Sequence, residues 1–168
     1  MGRPGGHLLN AVSKGGWSAY ALAILVIVLD QVSKQWILMD FDLPARLTAP
    51  VFGPFHLTMV WNQGVSFGML RANHDLARWG LTAFAVIAAI AIAVWARRAE
   101  RRLVVVGLGL MIGGALGNAI DRARFGAVVD FLDFTRLFFP WIFNIADSAL
   151  TIGVICLLLD SLRKEPAV

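Results

Sequence analysis

Four apolar stretches, near residues 20–39, 76–96, 103–120 and 141–159, constrain this chain more than any other feature. Each approaches the ~20 residues that a helix needs to cross a hydrocarbon layer. In lipid a segment must satisfy its own backbone N–H and C=O groups, so each stretch is expected to be a membrane helix. Composition agrees: 168 residues with 58% hydrophobic, 15% charged and a mean hydropathy of +0.71 exceed what a soluble core uses.

The formal charge of +4 and the pI near 10.0 do not point to nucleic acid, because the basic residues sit beside the spans and not on a soluble face. Arg3 and Lys14 precede the first span, Arg97, Arg98, Arg101 and Arg102 separate the second from the third, and Arg163 and Lys164 follow the fourth. Positive charge marks cytoplasmic segments, so both termini are expected inside, with 42–75 and 121–140 facing outward. The first span carries Asp30 and Lys34 where a cleaved signal would have small residues, and is expected to stay as an anchor. The single Cys156 lies in an apolar run and is expected to pack. His7, His56 and His74 lack metal-ligand spacing, so no metal is expected.

Polar residues are confined in depth. At about 1.5 Å per residue, Lys34 and Asn118 lie some 20 Å across, with Asp30 slightly deeper, and Asn144 and Asp147 enter the last span within its first two turns. Three spans thus place polar groups in one layer near the outer surface. The inner half holds only Asp160 at its edge, whereas a proton or ion path needs polar groups throughout. A small proton-coupled transporter is therefore a weaker reading than a site opened from outside. A structural protein glued by polar stripes is the other rival, and it predicts that Asp→Asn changes are harmless.

Asp30 and Lys34 are i and i+4 and able to pair; Gly114, Asn118 and Asp121 form a stripe, as do Asn144, Ser148 and Thr151. GGALG at 113–117 suits close helix packing. Segment 42–75 alternates polar and apolar residues, as short strands or an interfacial platform would. Within it Asn62 either satisfies the turn at 62–64 or serves a site. Arg71, Asp75 and Arg78 are expected to be solvated or to face headgroups, and Asp40, Asp42 and Asp133 to lie on the surface. Asp130 and Asp147 each carry two readings: a loop residue and a helix cap, or a pair of acids sharing one proton.

DQVSK (30–34), NQGVSF (62–67), GGALGNAIDR (113–122), VVDF (128–131) and FNIADS (143–148), in that order, resemble the motif set of the bacterial lipoprotein signal peptidase family, signal peptidase II. The resemblance implies one integral-membrane peptidase domain over 1–168. Its fold would be an all-α membrane protein, four transmembrane helices with a small periplasmic β-cradle and a short periplasmic amphipathic helix. It also implies an aspartic endopeptidase of the inner membrane that removes signal peptides from diacylglyceryl-modified prolipoproteins, cutting immediately before the lipidated Cys. The catalytic pair falls on Asp130 and Asp147; Asn62, Gly64, Asn118, Arg122 and Asn144 match site-lining positions; Asp30, Lys34 and Asp121 match supporting ones. No cofactor is implied, the partners are prolipoproteins and membrane lipids, and a monomer is expected. Family members are targets of globomycin, a cyclic peptide antibiotic.

Two carboxylates held close cannot both ionise easily, which suits activation of a water between them. Arg122 has two candidate roles: an ion pair with Asp121 or Asp130, the favoured one, or a hydrogen bond to a signal-peptide carbonyl. An apolar groove with lateral access from the bilayer would take the acyl chains.

Overall fold

A computed structural model describes residues 11–64, 74–137 and 139–163. Helix α1 (Lys14–Gln35) starts on Ser13, whose hydroxyl accepts the Gly16 N–H at 2.9 Å, and runs on through a π-helical turn (Trp36–Asp40). A one-turn helix α2 (Leu43–Arg46) leads into strands β1 (Thr48–Phe52) and β2 (Phe55–Asn62). Then come α3 (His74–Ala96), α4 (Arg102–Phe125), β3 (Val128–Asp133), β4 (Ile142–Phe143) and α5 (Ile145–Ser161). The strands form one antiparallel sheet in the order β1-β2-β3-β4.

Among the described residues three helices are long and apolar enough to cross a membrane: Lys14–Asp40, Asp75–Ala96 and Arg102–Phe125. The fourth, α5, has 17 residues, at the lower end of spanning length. It begins at Ile145 and not at 141, because Ile142 and Phe143 pair with β3 and Asn144 caps the helix. Helix α4 also runs past 120 to Phe125, which makes Asp121 and Arg122 helical. The one-turn α2 lies between the first helix and the sheet, while residues 65–73, Arg71 included, fall outside the described residues, as do Arg3, His7 and Lys164.

Helix α4 is the hub, packing against α1, α3 and α5. Its glycines permit this approach: a Cβ on Gly113 would stand 2.6 Å from Val26 Cβ, and one on Gly117 would stand 2.7 Å from Asp30 Oδ2. Ala19, Ala23, Ala96, Leu108 and Ile112 form the core between helices. Leu25, Leu29, Phe84, Ile87, Ile90, Ile155 and Leu158 point outward and are exposed, an apolar surface that water would not tolerate and lipid would. A second core of Ile37, Leu43, Leu57, Val129 and Phe131 fastens the sheet to the end of α1.

Two surface expectations need correcting. Asp133 is buried, accepting bonds from the Thr58 and Thr135 hydroxyls (both 2.6 Å) and the Thr135 N–H (2.9 Å), because β3 is an inner strand. Arg78 is half-buried: its guanidinium donates to the Arg122 and Ala123 carbonyls at the end of α4, both at 2.7 Å. The Arg122 carbonyl also accepts the Gly126 N–H that closes α4, at 3.1 Å, and a cation suits a helix C-terminus. Asp40 and Asp42 are exposed as expected.

Candidate active site

Where the helices meet the sheet lies a buried polar layer. Lys34 Nζ sits between Asp30 Oδ2 (2.8 Å) and Asp121 Oδ2 (2.7 Å), with all three side chains at most 2% exposed. Each carboxylate spends its remaining capacity on a backbone amide: Asp30 Oδ1 accepts Ala146 N–H at 2.9 Å, and Asp121 Oδ2 accepts Val129 N–H at 3.0 Å. Those amides immediately precede Asp147 and Asp130. An ion pair buried this deeply is stabilising only when its spare lone pairs are also bonded, and here they are.

Asp130 lies on β3, opposite Val60 of β2, and is 1% exposed. Asn62 Nδ2 donates to its Oδ2 at 2.9 Å and Asn144 Nδ2 to its Oδ1 at 2.7 Å. Both partners are neutral. Asp147 lies in the first turn of α5, and its Oδ1 accepts Asn118 Nδ2 at 2.7 Å. The cap of α5 is Asn144, whose Oδ1 accepts the Asp147 N–H at 2.9 Å, so neither bland reading of the two acids holds: Asp130 is in a buried strand and Asp147 is not the cap. Asn118 Oδ1 receives Asn144 Nδ2 (3.2 Å) and Lys34 Nζ (3.4 Å), which joins the supporting layer to the pair.

Both acids line one cavity of about 470 Å³, bordered by Asn62, Ser148 and Thr151 and by an apolar wall of Phe139, Trp141, Phe143 and Ile152. Burial, and then the neighbouring Asp147 charge, push the Asp130 carboxyl up from its ordinary 3.8 to about 6, against the bonds from Asn62 and Asn144. Among the described residues no three His, Cys, Asp or Glu side chains are grouped to hold a metal.

Asn62 serves both of its readings at once, since its Oδ1 accepts the Gly64 N–H at 2.8 Å while its amide holds Asp130. Gly64 has φ 78°, and a Cβ there would meet Leu81 Cδ1 at 2.7 Å with Arg122 Nη2 at 3.5 Å. The favoured ion pair of Arg122 is absent: among the described residues Asp121 is taken by Lys34, and the buried Arg122 Nε has no hydrogen-bond partner. Sequence reading also missed two contributors. Gln31 lies inside the DQVSK motif and bonds both supporting carboxylates, and Arg78 carries no local signal for its grip on α4.

A family model described as signal peptidase (SPase) II matches residues 22–163. The chain is 51% identical over 156 residues to a protein of Caulobacter vibrioides named lipoprotein signal peptidase, covering 92% of each. It is 48% identical over 148 residues to a protein of the same name from Methylorubrum extorquens, covering 85% of this chain and 84% of the relative. A solved structure described as a bacterial membrane enzyme superposes with a TM-score of 0.75 at 30% identity, covering 94% of this chain and 99% of that one.

Proposed function

The chain belongs to the signal peptidase II family, and from that premise we propose that it is the aspartic endopeptidase that cuts diacylglyceryl-modified prolipoproteins immediately before the lipidated Cys, with Asp130 and Asp147 as its water-activating pair. The observation that carries the assignment is that these two acids, from separate segments, line one cavity and, among the described residues, take their side-chain hydrogen bonds from neutral amides. A charge-compensated carboxylate would be a poor base, and a lone one could not both give and take a proton.

Asp130 starts protonated, because it is the more buried of the two and burial holds its carboxyl up at about 6. Ionised Asp147 removes a proton from a water as its oxygen bonds to the scissile carbonyl carbon, while the Asp130 O–H donates to the developing oxyanion. On collapse the C–N bond breaks, the leaving amine takes the proton held by Asp147, and Asp130 recovers its own. The titration belongs to the pair. Arg122, with its unpartnered Nε, meets the backbone of an extended peptide that has left lipid without hydrogen-bond partners, while the amides of Asn118 and Asn144 position the two acids. Gly64, with its positive φ, closes the turn that carries Asn62 to Asp130, and the aromatic wall borders the acyl chains.

The enzyme acts as a monomer with four spans in the bacterial inner membrane, α5 being the shortest, with both termini cytoplasmic and the sheet on the periplasmic side. Basic residues at the opposite end support this orientation; there Arg101 pairs with the buried Asp160 at 3.2 Å, so that acid is held as an ion pair and not as a free proton relay. No cofactor enters the chemistry. Globomycin is expected to fill the same cavity.

The test is cleavage of a lipidated prolipoprotein by purified enzyme in detergent. Asp130→Asn and Asp147→Asn should each stay folded and lose at least ~10³-fold in kcat. Cleavage retained by either variant removes that residue from the pair. Unlipidated precursor should be a poor substrate, and equal turnover of both forms would contradict lipid-dependent docking.

A further inference from the structure

Gln31 is placed unlike any other residue of the first helix. Its Nε2 donates to Asp30 Oδ2 at 3.1 Å and to Asp121 Oδ1 at 2.9 Å, with the Gly117 carbonyl at 3.3 Å, and its Oε1 accepts Arg124 Nη1 at 3.2 Å. The chemistry of the neighbours fixes the amide orientation, since two carboxylates require a donor and a guanidinium requires an acceptor. Lys34 already joins Asp30 to Asp121. A single ammonium between two carboxylates is a pivot about which either can swing, because an ammonium has no fixed fork. The Gln31 amide closes a ring, Lys34 to Asp30 to Gln31 to Asp121 and back, and a ring resists that rotation.

What hangs from the ring decides its consequence. Asp30 holds the amide of Ala146 and Asp121 holds the amide of Val129, the residues directly before Asp147 and Asp130. We infer that Gln31 is a positioning residue that sets the separation of the two cavity acids through this ring. The inference rests on the assignment of Asp130 and Asp147 as the reacting pair. Gln31 touches neither acid and takes no part in proton transfer. Its action is to keep their spacing within the few tenths of an ångström on which catalysis through a shared water depends.

Gln31→Met keeps the length of the side chain and removes both the donor and the acceptor. With lipidated prolipoprotein as substrate, kcat is expected to fall about tenfold with KM within about twofold of wild type. The shape of the pH profile separates positioning from mere loss of folded enzyme. When the acids drift apart each perturbs the other less, so the acidic and basic limbs of kcat should move toward one another. Gln31→Ala, which leaves room for water to bond both carboxylates, carries the same expectation should the Met variant fold poorly. A kcat within twofold of wild type overturns the inference, as does a fall in kcat under a pH profile that superimposes on wild type. Asp130→Asn and Asp147→Asn run in the same assay keep the two claims apart. If either cleaves, the assignment of the pair fails, and if both are dead while Gln31→Met behaves as wild type, only the role of Gln31 does.

Discussion

Asp30 and Asp121 on one side, and Asp130 and Asp147 on the other, are two pairs of carboxylates a few residues apart in the same polar layer, yet they are provided for in opposite ways. The first pair shares an ammonium, an amide and two backbone N–H donors, and the ammonium compensates its charge directly. Among the described residues the side chains of the second pair accept hydrogen bonds only from the amides of Asn62, Asn144 and Asn118, and they face a cavity. Burial raises the pKa of Asp130 even though Lys34 offsets part of the effect, whereas direct contact with the ammonium makes Asp30 and Asp121 a scaffold. The chemical identity of the four residues is the same, so function is assigned by what surrounds them.

The comparison breaks most severely if Lys34 is removed. Lys34→Met leaves Asp30 and Asp121 buried with no cation, and should cost about 3–5 kcal/mol, read as a large drop in the thermal midpoint in detergent. A loss under about 1 kcal/mol would mean that the first pair is not charge-compensated in the way its geometry implies.

A smaller effect of opposite sign should come from the second pair. The folded-state pKa of Asp130, about 6, lies above its ordinary 3.8, so its contribution favours the fold at low pH and is lost as pH rises through 6. Asp130→Asn removes the cost of the buried ion and should stabilise the protein by up to roughly 3 kcal/mol at pH 8 and not at pH 4. In the wild type kcat/KM, which reports the free enzyme, should decline as pH rises through about 6, where Asp130 loses its proton. A stability gain for the Asn variant that is equal at both pH values would show that the carboxylate is not perturbed.

The smallest expected effect lies outside both pairs and serves as a control. Arg78→Ala strips two donors from the end of α4, and should cost about 1–2 kcal/mol and lower kcat/KM less than tenfold. Arg78→Lys should recover little of it, because a point charge cannot grip two carbonyls as a fork does. If the Ala variant proves as damaging as Lys34→Met, the supporting network extends further than the ring.

Much of this was readable along the chain. Apolar runs marked the helices because a segment in lipid must close its own hydrogen bonds, and the i, i+4 spacing of Asp30 and Lys34 foretold their 2.8 Å contact. Motif order carried the acids and asparagines, all of which the fold gathers at one end of the bundle. VVDFLD was another matter: a short apolar run does not declare itself helix, strand or loop, and its strand exists only because β2 lies beside it. That pairing buried Asp133 against Thr58 and Thr135, which no local signal announced.

Residue type and spacing alone therefore determined that the chain is a membrane protein with a polar layer near one end and two acids within it. Only the three-dimensional packing decided that Asp121 belongs to Lys34 and not to Arg122, that Arg78 turns inward to α4, and that Gln31 bridges Asp30 and Asp121. The physical reason is range. Backbone satisfaction and helical periodicity act over a few residues and are written in neighbouring letters, whereas the partner of a buried charge is chosen by whichever distant segment arrives within hydrogen-bonding distance.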